Sequence, residues 1–138
     1  MTGTFRCFDS DLRQKLLISL TRIAEGIATS LGCTARVTTE FLTPAVVNDP
    51  TMTGIARDVA AQVVGADHVI QPDPLTGSDD VAYFWQKVPG CYAFVGSAKA
   101  EWSPAPAHHN AKFDIDESVM EIGADLLVRA VRRILQSA

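Results

Sequence analysis

The sequence predicts an α/β protein, because stretches with a helical spacing of apolar residues alternate with shorter stretches that favour strands. In the helical stretches apolar residues recur every three or four positions, which places them along one face of a helix. In the shorter stretches β-branched and aromatic residues alternate with polar ones or run together, as they do in strands. With 138 residues, 47% of them apolar and 20% charged, the chain has the composition of a folded globular protein.

A strand, a long helix and a second strand are predicted for the first part of the chain. Residues 3–8 and 33–41 alternate in side-chain character and predict the two strands. Between them a helix is expected to run to about residue 31, starting at Asp9 or Ser10, either of which can accept hydrogen bonds from the first free amides. The apolar stripe of this helix consists of Leu12, Leu16, Leu20, Ile23, Ile27 and Leu31.

A connector that contains Pro44 follows, and we place a domain boundary there. The first domain is predicted to cover residues 1–43 and the second residues 44–138. The second domain is expected to open with a helix, because Pro50 suits the first helical position and Gly65 can end the helix fifteen residues later.

The remaining elements are two short strands and two helices. Residues 68–71 and the nearly continuous apolar run 91–95 predict the strands. A helix is expected over about residues 79–88. The last helix should begin near Asp116 and Glu117, where acidic side chains complement the helix dipole.

The turn before the third helix is one candidate binding site. Gly77 and Ser78 precede Asp79 and Asp80, and the backbone amides of such a turn, at the positive end of a helix, could face a substrate carboxylate. The two aspartates partly cancel this field, and a plain helix start explains the same residues. Both interpretations are kept.

Two adjacent histidines, His108 and His109, are the best candidates for chemistry. They follow a proline-rich loop and precede the last helix. Neutral imidazole is the commonest ligand of zinc-like metals and titrates near neutral pH, so the pair predicts a metal ligand or an acid–base group. The alternative is that both are polar loop residues, because a single dipeptide is a weak motif.

Composition argues against several other functions. A net charge of -4 without a run of Lys or Arg disfavours a nucleic-acid or anionic-membrane surface, and no apolar stretch reaches the length of a membrane span. The N-terminus lacks a signal-peptide pattern, which favours the cytoplasm. Three widely spaced cysteines indicate neither a disulfide framework nor a cysteine zinc site. The expected partner is a small molecule or another protein.

Five segments occur in the order and at the spacing of one known family. They are residues 3–9 (GTFRCFD), 44–50 (PAVVNDP), 77–84 (GSDDVAYF), 88–96 (VPGCYAFVG) and 109–117 (HNAKFDIDE). Through them the chain resembles the C-terminal part of the metal-dependent amidohydrolases and peptidases that include hippurate hydrolase, aminoacylase-like N-acyl-amino-acid amidohydrolases and the hydrolases of auxin conjugates. The resemblance covers essentially all 138 residues.

This resemblance implies a fold and a metal centre. Residues 1–43 would be the strand–helix–strand end of a ferredoxin-like lid or dimerisation domain, and residues 44–138 the C-terminal part of a zinc-peptidase-like catalytic α/β domain. The family binds two divalent ions, zinc or manganese, and His109 aligns with its late metal ligand. His108 would orient His109 or face the substrate.

In a complete enzyme of this kind, the turn at Gly77 and Ser78 would help to shape the substrate side. Two positions depart from the family pattern: Ala111 stands where proline is usual, and Asp79 where glutamate is usual. The first change should loosen the histidine loop, and the second shortens an acidic side chain whose role is left open.

The family's other metal ligands and its catalytic glutamate belong to an N-terminal portion that this sequence does not contain. A catalytic zinc usually needs about three protein ligands, so we expect no catalytic residue here, and neither ion binding nor hydrolysis by this chain alone. The favoured hypothesis is part of an amidohydrolase that cleaves N-acyl amino acids such as hippurate. The alternatives are a non-catalytic dimerisation or interaction module derived from such an enzyme, and a small protein with an unrelated binding role. Exposed apolar faces and strand edges predict a homo-oligomer or completion by an N-terminal segment.

Overall fold

The protein is described by a computed structural model that covers residues 1–137. Its contacts divide the chain into two compact units, Met1–Val47 with Asp73–Val88, and Asn48–Pro72 with Pro89–Ala138. Its helices are α1 (Ser10–Ser30), α2 (Pro50–Val64), α3 (Val81–Trp85) and α4 (Val119–Ser137), and a 3-10 helix covers Ala66–His68. The predicted domain boundary after residue 43 concerns the domains of a complete enzyme and stays a prediction.

Helix α1 begins and ends as the sequence predicts. Asp9 caps its first turn, because the carboxylate oxygen Oδ1 accepts a hydrogen bond from the amide of Leu12 at 2.6 Å. After the last turn Gly32 takes a left-handed φ of 70°, which glycine adopts without steric strain. The prediction of a long first helix is confirmed.

The apolar stripe of α1 is exposed in the described chain. No residue of α1 is buried, and the exposed fractions along its stripe run from 40% at Leu16 to 73% at Leu31. The other helix of its unit, α3, does not pack against α1. Within the described part of this unit, α1 therefore has the predicted ends but an exposed apolar face.

Two side-chain contacts tie together the segments of the first unit. The Tyr83 hydroxyl donates to the carbonyl oxygen of Leu42 at 2.7 Å, and the Arg13 guanidinium lies over the Phe41 ring at 4.1 Å from its centroid.

Ala82, in the short helix α3, is buried with 2% exposure. The predicted third helix is therefore confirmed in position but shorter than the ten residues expected.

Helix α2 opens the second unit. The Oδ1 atom of Asp49 accepts a hydrogen bond from the amide of Met52 at 2.9 Å, Pro50 takes the first helical position, and Gly65 ends the helix with a φ of 86°. Both predicted ends are confirmed.

Helix α4 packs against α2, and Val59 of α2 is buried with 3% exposure. The outer side of α4 carries exposed apolar residues, among them Leu127 and Leu135 at 71% each. Among the described residues, no helix combines the length and apolar character needed to cross a membrane.

The strand part of the α/β prediction is not confirmed, because residues 1–137 contain helices but no strand. The predicted strands at 3–8, 33–41 and 91–95 are irregular, and the one at 68–71 starts inside the 3-10 helix. A strand is stabilised by the hydrogen bonds of a neighbour, and even a lone pair of strands is marginal in water. Alternation along a segment shows that it suits a strand, but it does not show that a neighbouring strand is present.

Candidate metal-ligand site

The two histidines lie in a long loop of the second unit, between Ser97 and Asp116. One backbone hydrogen bond closes the base of this loop, because the amide of Asp116 donates to the carbonyl oxygen of Ser97 at 2.8 Å. Asp116 also accepts a hydrogen bond from the amide of Ser118 at 3.0 Å. Hydrogen bonds from the side chain and then the backbone of Ser118 hold the pKa of Asp116 below its ordinary value, with a smaller contribution from the charge of Lys99. The loop is therefore anchored next to the start of α4.

Two consecutive turns inside this loop share Asn110. The amide of Asn110 donates to the carbonyl oxygen of Ala107 at 3.2 Å, and the amide of Phe113 donates to the carbonyl oxygen of Asn110 at 2.9 Å. The side-chain oxygen Oδ1 of Asn110 accepts a further bond, from the amide of Lys112 at 2.9 Å. Asparagine suits this position because its side chain can bond the backbone two residues further along. This role of Asn110 was not predicted from the sequence.

His109 occupies the third position of the first turn. Its φ is 66°, and no other non-glycine residue of the described chain has a positive φ. A turn in which only the third residue has a positive φ is typical of type II, and glycine is the usual residue at that position. His109 is exposed, and no hydrogen bond, ion pair or ring contact among residues 1–137 engages its imidazole. Its side chain is therefore not committed to another contact within the loop.

His108 is also exposed, but unlike His109 its ring contacts another side chain. The ring centroids of His108 and Phe113 are 4.6 Å apart and the rings are inclined by 39°. Phe113 ends the second turn, so this contact joins the first turn to the end of the second. The structure therefore distinguishes the surroundings of the two adjacent histidines.

The other predicted site residues, Gly77 and Ser78, belong to the first unit. Both are exposed, and a Cβ built on Gly77 would meet no atom within 4 Å. The first amides of α3 already have acceptors, since Val81 donates to the Oδ1 of Asp79 at 2.9 Å and Ala82 to the carbonyl of Asp79 at 3.3 Å. These contacts fit a helix start, and the substrate-binding role of Gly77 and Ser78 stays a prediction.

Sequence reasoning also missed a side-chain clamp at Asn48. The Asn48 amide nitrogen Nδ2 donates to the carbonyl oxygen of Tyr92 at 3.0 Å, and the amide of Tyr92 donates to the Asn48 oxygen Oδ1 at 2.9 Å. Next to it, the backbone amide of Asp49 donates to the carbonyl oxygen of Gly90 at 2.9 Å. Asn48 therefore pairs with Tyr92 as a neighbouring strand residue would. Nothing local in the sequence could reveal a partner 44 positions away.

The donor set present can supply one metal ligand. An exposed imidazole without a competing contact is a suitable zinc or manganese ligand, and His109 meets this description. No group of three or more His, Cys, Asp or Glu side chains comes together within the described range 1–137.

Comparison with known proteins identifies the family. Residues 8–133 match the peptidase family M20/M25/M40, and the chain therefore belongs to this family. Its members are hydrolases that typically depend on divalent metal ions. The prediction of kinship with the metal-dependent amidohydrolases and peptidases is confirmed.

Three curated relatives show which proteins the chain resembles and how much of their length it covers. The chain is 35% identical to the putative amidohydrolase YhaA of Bacillus subtilis, over 94% of the chain and 33% of that protein. It is 32% identical to the N-acetyl-L-cysteine deacetylase of the same organism, over 98% of the chain and 31% of the relative. It is 27% identical to the IAA-amino acid hydrolase ILR1-like 4 of Arabidopsis thaliana, over 96% of the chain and 31% of the relative. The chain thus spans about a third of the length of these relatives.

Proposed function

We propose that the chain is the part of a metal-dependent amidohydrolase that carries one metal ligand, His109, and that the enzyme hydrolyses the amide bond of N-acyl amino acids. The observation that carries this proposal is the exposed imidazole of His109, which no other described residue engages. The names of two relatives support the substrate class, because N-acetyl-L-cysteine and IAA-amino acids are both amino acids with an added group.

Each residue of the site has a limited task in this proposal. Two bound ions, zinc or manganese, would supply Lewis acidity and an activated water. His109 would present a ring nitrogen to one of them. His108 would orient the loop, a role that its contact with Phe113 supports, or face the substrate. Gly77 and Ser78 would line the substrate side, and the remaining ligands and the general base would come from polypeptide outside this sequence.

A chimaeric enzyme tests the assignment of His109. In the Bacillus subtilis N-acetyl-L-cysteine deacetylase, the segment that aligns with this chain is replaced by the chain itself, so that the relative supplies the other two thirds of the protein. We expect the chimaera to retain divalent metal through purification and to release acetate from N-acetyl-L-cysteine.

Two matched variants then separate the histidines. His109→Ala should lower metal content and activity by at least about tenfold, since a direct ligand is lost, whereas His108→Ala should retain most of the metal. Equal losses in the two variants would mean that the wrong histidine has been chosen. Unchanged metal content in His109→Ala would refute the proposed role.

The second candidate, a non-catalytic dimerisation or interaction module, is favoured by the exposed apolar stripes of α1 and α4. Sedimentation of the purified chain over a range of concentrations tests it, and a monomer at high concentration would count against a homo-oligomer. Metal analysis of the same sample tests a premise that the two candidates share. Tight binding of two ions by this chain alone would contradict the view that most ligands lie elsewhere.

A further inference from the structure

We propose that Asn110 is a positioning residue that holds His109 in its left-handed conformation and thereby fixes the direction in which the imidazole leaves the loop. The use of this direction for metal binding rests on the proposed function. The conformational role of Asn110 rests only on the two turns and can be tested without a metal.

The starting point is that the backbone of His109 needs support. A residue with a Cβ is less stable in the left-handed region than in the ordinary ones, by a factor of roughly 5 to 30 in population, although histidine is found there more often than most residues. The hydrogen bond from the amide of Asn110 to Ala107 closes the turn, but nearly any residue at position 110 could donate it. Something further must keep His109 at a φ of 66°.

The side chain of Asn110 provides this support. Its Oδ1 accepts from the amide of Lys112 at 2.9 Å, which fixes the course of the second turn immediately after His109. That second turn ends at Phe113, whose amide bonds back to the carbonyl of Asn110 at 2.9 Å. Phe113 then lies against the ring of His108. His109 is thus flanked by a turn fixed through Asn110 on one side and by a packed ring on the other.

The magnitudes make Asn110 decisive. Loss of one hydrogen bond of this kind shifts a two-state equilibrium by about 2- to 13-fold, which is comparable to the population penalty of the left-handed conformation. Alanine at position 110 would keep both backbone bonds and lose only the Oδ1 acceptor. Because the first turn ends at the residue where the second begins, we expect this loss to let His109 return to an ordinary φ in a large fraction of molecules.

The experiment is NMR of the isotopically labelled, metal-free chain. A positive φ brings the amide proton and the Hα of the same residue unusually close, so His109 should give a strong intraresidue cross-peak in a nuclear Overhauser spectrum. We expect this cross-peak to weaken severalfold in Asn110→Ala and to recover in Asn110→Asp, whose carboxylate can accept the same bond from the amide of Lys112. Lys112→Ala is the matched control, because it removes the side chain and leaves the backbone donor in place.

The outcomes divide cleanly. Unchanged intensity at His109 in Asn110→Ala would overturn the proposal, and so would an equal loss in Lys112→Ala. Loss in Asn110→Ala with recovery in Asn110→Asp, while amides of α2 keep their positions, would establish it. The proposed function fails separately, if His109→Ala of the chimaera keeps its metal, and that result does not alter the NMR comparison.

Discussion

The clamp between Asn48 and Tyr92 leads to a prediction that can be worked out from the contacts. Asn48→Ala removes two hydrogen bonds, one donated by the side chain at 3.0 Å and one accepted by it at 2.9 Å. An intramolecular hydrogen bond contributes a net 0.5–1.5 kcal/mol or so. Asn48 is exposed, so water can replace part of each bond, and we expect a total loss of about 1–2 kcal/mol for the pair.

Hydrogen exchange of the Tyr92 amide measures this loss of free energy directly, because that amide takes part in the clamp. A loss of about 1–2 kcal/mol should speed exchange of the Tyr92 amide by roughly 5- to 30-fold, because this amide loses its acceptor. Asn48→Asp provides a graded test, since an ionised carboxylate can still accept from Tyr92 but cannot donate to its carbonyl oxygen. Its exchange rate should lie between those of the natural chain and Asn48→Ala.

A matched control separates the clamp from a general effect of removing an amide side chain. Gln71 is an exposed residue of the same unit, and no hydrogen bond of its side chain is present in the described chain. Gln71→Ala should leave the Tyr92 amide unchanged. If Asn48→Ala alters its exchange by less than about twofold, the clamp contributes nothing measurable and our estimate of its bonds is wrong.

Three further changes test the helix ends and the histidine loop. Asp49→Ala should lower the free energy of unfolding by about 0.5–2 kcal/mol in urea, because the cap on the amide of Met52 is lost. Ala111→Pro should raise it by about 0.4–1 kcal/mol if the backbone angle at this position suits proline, since the amide of Ala111 donates no hydrogen bond in the described chain and proline restricts the unfolded state. Lowering the pH should weaken the contact between Asp116 and Ser118. The pKa of Asp116 is lowered in the folded chain, so its stabilising contribution is present above the ordinary value of 3.8 and is lost as the pH falls through the folded value; circular dichroism of the chain between pH 6 and pH 2 measures this loss.

Each of these changes has its own control. Asp49→Asn keeps an acceptor at the helix start and should cost much less than Asp49→Ala. Ala111→Gly should act in the direction opposite to Ala111→Pro, because glycine enlarges the conformational freedom of the unfolded chain. Asp116→Asn should remove the acid-dependent part of the signal, and a transition that is identical in this variant would show that other carboxylates cause it.

The ends of α1 and α2 were predictable because the interactions that form them are local. The side chains of Asp9 and Asp49 bond amides three residues further along, and Gly32 and Gly65 adopt a positive φ at the helix ends. Each of these contacts involves residues only a few positions apart, so a short sequence motif is enough to predict it. The family could also be predicted, because five short segments at a fixed spacing are specific together although each is weak alone.

The amino-acid sequence by itself therefore determined where α1 and α2 begin and end, which family the chain belongs to and which dipeptide holds the candidate ligand. Only the tertiary structure decided that the His108 ring packs on Phe113, that His109 takes a left-handed φ, and that Asn48 pairs with Tyr92. It also left the predicted strands without neighbours in residues 1–137. For the clamp and the strands the physical reason is the same: a clamp or a strand pair requires a second segment whose position no local pattern specifies, whereas a cap or a turn glycine acts within a few residues.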